Sequence, residues 1–306
     1  MAEQANPTEH AAKHKWQALA QAEWMPHDSL VLAQEIWQAR QQAPLPPVQL
    51  EAQQLASAES HAQGAPLLPR GQFPLHIPTA DVLLQQLCAL CSQQTPLLHN
   101  AVRDLHASME QGAVSTALLV HALLNNDDTP FVGWADAHPD APQLLYFLVL
   151  NSVLPQAAHI AQAVRAARPQ KGTWAHGHCP VCGSTALMGE FAKGKASRNP
   201  NNEINKGGQL IQACSFCGTH YAAQRLLCPY CLEADAAKLD FFSVPEFPHM
   251  QVQVCQSCHG YIKIADFRQQ IEGLFVPDID DLATLPLDLA AQRKQLQRLT
   301  PTCWGL

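Results

Sequence analysis

Four Cys-x-x-Cys pairs follow one another between residues 179 and 258: Cys179/Cys182, Cys214/Cys217, Cys228/Cys231 and Cys255/Cys258. Two residues between ligands let one tight turn aim both sulfurs at a single ion, with backbone N–H groups pointing back at the thiolates. Two such knuckles complete a tetrahedral shell at about 2.3 Å per bond. The C-terminal half of the chain must therefore fold around two four-sulfur centres.

The knuckles differ in their turn residues. The first, Cys179-Pro180-Val181-Cys182-Gly183, has glycine at the place where a positive φ closes the turn. The second, Cys214-Ser215-Phe216-Cys217-Gly218, keeps the glycine and lacks the proline. The third, Cys228-Pro229-Tyr230-Cys231-Leu232, has lost the glycine, and the fourth, Cys255-Gln256-Ser257-Cys258-His259-Gly260, carries it one place late. Consecutive pairing joins the first knuckle to the second and the third to the fourth. Interleaved pairing, first with third and second with fourth, is the alternative; the ten residues between Cys217 and Cys228 favour consecutive ribbons.

Ligand type alone does not choose the metal, because an all-thiolate tetrahedral shell accepts zinc or iron. A thioredoxin-like dithiol needs a pair opening a helix inside a βαβ unit, and an iron–sulfur ferredoxin needs tighter clustering of its cysteines. A full four-sulfur shell around each ion leaves no coordination position for a substrate. No Gly-rich phosphate loop, nucleophile elbow or H-E-x-x-H appears, so no catalytic residue is assigned.

Other residues of the same types read as structural. Cys88 and Cys91 lie three apart on the apolar face of a helix, where free cysteine packs as a small hydrophobe. Cys303 reads as an incidental near-terminal thiol. His176, His178, His220 and His259 flank the knuckles as supporting or surface groups, and Trp174, Phe216, Tyr221 and Tyr230 as walls around the metal. Lys193, Lys195, Arg198 and Lys206 form a basic loop between the first two knuckles, a lip for a partner or a solvated face.

Over 306 residues the chain has room for more than one domain. Residues 1–170 show helical periodicity around Leu30–Arg40, Val82–Leu90, Thr95–Leu105, Val114–Leu124 and Pro142–Ala167, the last bent or restarted at Pro155. Gly64–Pro78 is an irregular Pro-rich connector. After residue 168 short β-like runs take over (Gln209–Gln212, Tyr221–Arg225, Lys238–Val244, Gln251–Val254, Tyr261–Ile264), and Leu285–Leu299 turns helical again. The expected class is α+β: a helical domain over 1–170, metal-binding ribbons over 171–225 and 226–306, and a C-terminal helix.

The apolar run from Leu144 to Leu154 is broken by Asn151 and Ser152 and falls short of the roughly 20 residues a span requires, so no membrane insertion is expected. Met-Ala-Glu-Gln-Ala-Asn-Pro at the start has no basic region followed by an apolar stretch, which points to the cytoplasm, where cysteine frameworks bind metal. Residues 1–170 carry 7 Lys/Arg against 14 Asp/Glu, and residues 171–306 carry 12 against 12. Neither half has the basic excess of a nucleic-acid binder.

The order Cys179-Pro-Val-Cys-Gly-Ser184, Cys214-x-x-Cys217, Cys228-x-x-Cys231, Cys255-x-x-Cys258-His-Gly-Tyr261-Ile-Lys263 resembles the formate dehydrogenase accessory protein FdhE family. The acidic, leucine-rich Asp280–Asp288 is similar to that family's segment after its last knuckle. The resemblance implies a cytoplasmic assembly factor, with rubredoxin-like modules that hold iron and with the catalytic subunit of respiratory formate dehydrogenase as partner. A structural zinc-ribbon module for nucleic acid or transcription is the alternative. Loss of Cys179 or Cys217 is expected to remove one metal and unfold its ribbon while the helical domain stays intact.

Overall fold

A computed structural model describes residues 7–170, 172–192, 208–266 and 274–305. The basic loop residues Lys193, Lys195, Arg198 and Lys206 lie outside them. The architecture is α+β. Among the described residues eight α-helices precede the sheet: α1 (Pro7–Leu19), α2 (His27–Gln42), α3 (Ala58–Ala62), α4 (Ile77–Ser92), α5 (Pro96–Glu110), α6 (Thr116–Leu124), α7 (Thr129–Ala137) and α8 (Leu144–Ala167). Polar caps set several starts. The Ser57, Thr95 and Ser115 side chains accept from Ser60, Leu98 and Leu118 N–H, satisfying donors that the first turn leaves open.

Of the two expectations at Pro155, a bend or a restart, the restart does not occur: helix α8 runs unbroken through it. By length and hydropathy alone it could cross a membrane, but 72% of its apolar window is buried inside the protein, as in a core helix. Its polar centre is explained by partners. Asn151 Nδ2 donates to the carbonyls of Phe147 (2.8 Å) and Cys303 (2.7 Å), and Ser152 Oγ donates to the Val149 carbonyl (2.7 Å). Leu84, Leu87 and Cys88 of α4, Leu105 of α5 and Leu119 of α6 are sealed from solvent with Leu148, Val153 and Ala157 of α8 in one core. Cys88 and Cys91 belong to that core, and burial pushes both thiols up to about 12.

Six strands follow among the described residues: β1 (Ala186–Ala192), β2 (Gln209–Cys214), β3 (His220–Ala223), β4 (Leu239–Phe242), β5 (Met250–Cys255) and β6 (Tyr261–Asp266). Each ribbon has the same plan. A knuckle precedes β1 or β4, and a second knuckle turns β2 into β3 or β5 into β6. The strands form one sheet in the order β3-β2-β1-β6-β5-β4. All neighbours are antiparallel except β1 and β6, which pair in parallel through Gly189↔Ile264, Glu190↔Ala265 and Phe191↔Asp266 and fuse the ribbons.

Helices α9 (Pro277–Ala283) and α10 (Leu285–Arg293) close the chain. The helical reading of Leu285–Leu299 holds only to Arg293; beyond it Gln297 bridges to Gly260 beside the last knuckle. The Asp-rich segment is a clamp. Asp278 binds Arg40 (2.6 Å), and Asp280 binds Lys15 (2.5 Å). Asp281 binds Lys263 (2.9 Å) and Arg298 (2.6 Å), as Asp288 does (2.6 and 2.9 Å). Ala12 and Trp16 of α1 pack on Ile279 and Leu282 of α9, so the first helix sits on the last third of the chain.

Candidate metal centres

The repeat seen in the sequence is a repeat of hydrogen bonds. In each knuckle the N–H of the first cysteine donates to the carbonyl five residues on: Cys179 to Ser184 (2.7 Å), Cys214 to Thr219 (3.0 Å), Cys228 to Glu233 (2.9 Å) and Cys255 to Gly260 (3.0 Å). The residue after the second cysteine always has positive φ: Gly183 +82°, Gly218 +62°, Leu232 +62°, His259 +56°. Site two thus keeps the turn without the glycine. A side chain in this conformation costs about 1–2 kcal/mol, less for histidine than for leucine. Gly260 serves a different need, since a Cβ there would lie 2.8 Å from Leu299 and 3.2 Å from Cys258 Sγ.

The pairing is consecutive. Cys179, Cys182, Cys214 and Cys217 form one group and Cys228, Cys231, Cys255 and Cys258 the other, with all sulfurs of a group within 4.8 Å of one another. Across site one Cys179 and Cys217 sulfurs are 3.7 Å apart and Cys182 and Cys214 3.3 Å; across site two Cys228–Cys258 is 3.7 Å and Cys231–Cys255 3.6 Å. A tetrahedron with bonds of about 2.3 Å has edges of about 3.8 Å, so both groups can hold an ion.

The surroundings favour thiolate. Val181 and Ser184 N–H donate to the sulfurs of Cys179 and Cys182, and Phe216 and Cys217 N–H to that of Cys214. Backbone N–H groups of Tyr230, Cys231, Ser257, Cys258 and Gly260 do the same at site two. Burial nevertheless pushes the Cys179 and Cys214 thiols well up, and neighbouring sulfurs of the same site add to it. A divalent cation is the group that would let all four ionise together.

The two sites stand in different places. Site one is wholly buried and belongs to the main core. The connector Leu67–Arg70 runs along its first knuckle, with Leu67, Leu68 and Arg70 N–H donating to the carbonyls of Pro180, Val181 and Cys182, each at 2.9 Å. Phe73 meets Phe216 edge-on at 5.5 Å, and the Arg70 guanidinium lies 4.6 Å over that ring. This strap was not legible in the Pro-rich connector. Site two has its own small cluster with Leu239 and Tyr230, and Cys231 is exposed.

Trp174, Phe216 and Tyr221 are buried in the site-one core, and Tyr230 packs on site two. Burial pushes the Tyr221 hydroxyl well up, and the charge of the four site-one sulfurs adds to it. The histidines are supports. His178 Nε2 is 2.9 Å from the Gly64 carbonyl oxygen, His176 packs edge-on to Trp174, His220 lies near Phe275, and His259 is a turn residue. Cys303 is not incidental to the fold: it is buried beside Arg40, and its carbonyl receives Asn151.

Residues 226–303, which hold all of site two and the acidic clamp, match the family described as FdhE, C-terminal domain. This chain is similar to proteins of the FdhE family. The Protein FdhE homolog of Aquifex aeolicus is 32% identical over 151 residues, 49% of this chain and 48% of that protein. That of Pectobacterium carotovorum is 28% identical over 204 residues, 66% of this chain and 55% of that one. The chain thus aligns with about half the length of these curated relatives. The crystal structure of the FdhE protein from Pseudomonas aeruginosa shares the fold, with a TM-score of 0.67 at 19% identity, over 99% of this chain and 97% of that one.

Proposed function

We propose that this chain is a cytoplasmic accessory protein for the assembly of respiratory formate dehydrogenase. In this reading it binds the catalytic subunit of that enzyme, and its eight knuckle cysteines hold two metal ions, iron in the native state. The observation that carries the proposal is the FdhE kinship of a chain whose two sites are filled by four cysteines each. Such a shell has no open position for a substrate, so the chain is read as a binder and not as a catalyst. Bound iron would supply a one-electron couple, whereas zinc would supply rigidity alone.

The chain's own residues do the rest. The knuckle N–H groups stabilise thiolate, the buried aromatics keep water from site one, and the fused sheet holds both sites in fixed relation. That makes a rigid surface for a folded partner, which suits a maturation or checking step before export.

An anaerobic pull-down of tagged protein from its own cell extract, read by mass spectrometry, tests this. Recovery of a formate dehydrogenase catalytic subunit, lost in cysteine variants, is the expected result. Recovery of RNA polymerase or ribosomal proteins instead would transfer the chain to the zinc-ribbon reading. Metal analysis of protein from iron-replete, anaerobic cells should find iron; colourless protein loaded only with zinc would overturn that assignment.

A further inference from the structure

The two centres have the same ligands and opposite access. Cys179, Cys182, Cys214 and Cys217 are at most 3% exposed, inside the core that also holds α4 and α8. The Leu67–Arg70 strap bonds along the first knuckle, and the cavity that Arg70, Cys182, Ser184 and Phe216 line reaches the edge of the site without exposing its cysteines. At site two Cys228 and Cys255 are buried, but Cys231 is exposed and Cys258 half-exposed. Its cluster is a satellite of the fold, and both residues that follow its second cysteines hold positive φ without being glycine. Local opening is governed by such differences in burial and packing.

We propose that site two is the exchange site of this protein: a thiophilic divalent ion enters and leaves there through Cys231, while site one keeps its ion as a permanent staple. An incoming donor reaches the metal from the Cys231 side, takes the ion, and leaves thiolates at Cys231 and Cys258 that water or an alkylating agent meets first. Reactivity follows access, and Cys231 is the exposed cysteine of the site. This rests on the eight cysteines being metal ligands, as proposed above.

The test uses the full chain loaded with two equivalents of zinc and challenged with a chromogenic chelator. Release is expected in two phases of one equivalent each. With iodoacetamide present, the freed thiolates displace iodide and become thioethers, which peptide mass spectrometry locates. Cys231 and Cys258 should be labelled during the fast phase, and Cys179, Cys182, Cys214 and Cys217 only during the slow one. Cys231→Ser should abolish the fast phase and leave the slow equivalent, and the labelling order in the unaltered protein decides the matter if that variant folds poorly. Release of both ions in one phase, or first labelling at site one, would overturn the proposal while leaving the ligand assignment standing. Failure to take up two equivalents would overturn the assignment itself, and the proposal with it.

Discussion

At the scale of single residues, His259 and Lys263 show two ways a sequence encodes this fold, one legible and one not. The knuckle spacing announced a positive-φ position after each second cysteine, and the structure puts one at Leu232 and His259, where no glycine marks it. His259→Gly should therefore stabilise the zinc-loaded protein by about 1 kcal/mol, by removing a Cβ from the left-handed region. Thermal unfolding at fixed metal reads the gain, and a lower Tm would show that the imidazole makes contacts worth more than the strain. Lys263 could not be read in this way. It sits on β6 with its side chain fully buried, and its partners Asp281 and Asp288 come from helices that follow in the chain. Lys263→Met leaves two buried carboxylates with Arg298 and the Tyr261 hydroxyl as partners and should cost about 3–5 kcal/mol in urea unfolding. The pH dependence has a definite sign. Burial alone would raise the Asp281 carboxyl, but Arg298 and Lys263 outweigh it and hold the group below its ordinary value. A carboxyl depressed in the folded state contributes stability above its unfolded pKa and loses it as pH falls through the folded one. The stability gap between the protein and Asp281→Asn should therefore be full at neutral pH and narrow below about pH 4.

At the scale of elements, the runs that form β2 to β6 were legible in the sequence and β1, at the junction of the ribbons, was not. Ala186–Ala192 contains Gly189, two alanines and a methionine, a composition with little strand preference. It is a strand because β2 and β6 pair with its two edges, and it is largely buried, so its sequence lost the alternation that marks β2 and β5. Helix α7 was missed for another reason. Thr129–Ala137 is nine residues with Gly133 inside, too short for its periodicity to stand out from the Asn-Asp turn before it. The junction between ribbons has a third illegible determinant, Gly177. A Cβ there would lie 2.2 Å from the Pro229 carbonyl oxygen, so the chain entering the first knuckle touches the backbone of the third. Gly177→Val should force the two apart and cost about 1–3 kcal/mol. The loss should appear as faster hydrogen exchange around Cys228 and Cys231; unchanged protection there would mean that the contact holds nothing together.

At the scale of the whole molecule, the change of texture near residue 170 is real in the sequence, but one hydrophobic core runs across it. Site one shares its core with α4 and α8, and the Leu67–Arg70 connector, from the helical half, bonds to its first knuckle. The sequence suggested that losing a site-one ligand would unfold one ribbon and spare the helices. The packing argues otherwise. Cys179→Ser would leave the remaining buried thiols without their ion and loosen Phe216, Trp174 and Tyr221, which are continuous with Leu148 and Val153. Because metal binding is folding free energy in such sites, the loss should be felt through the helical half. Cys231→Ser, at an exposed position in a separate cluster, should release one ion with little effect beyond β4–β6. Circular dichroism at 222 nm during heating separates the two cases. The Cys179→Ser protein should lose helix at a markedly lower temperature than the parent, and the Cys231→Ser protein close to the parent's. Equal shifts would mean that the ribbons answer to one another through the β1–β6 pairing more strongly than site one answers to the helices. Helix loss unchanged in both would restore the boundary near residue 170 as a true break in cooperativity, with the Leu67–Arg70 strap a contact of little energetic weight.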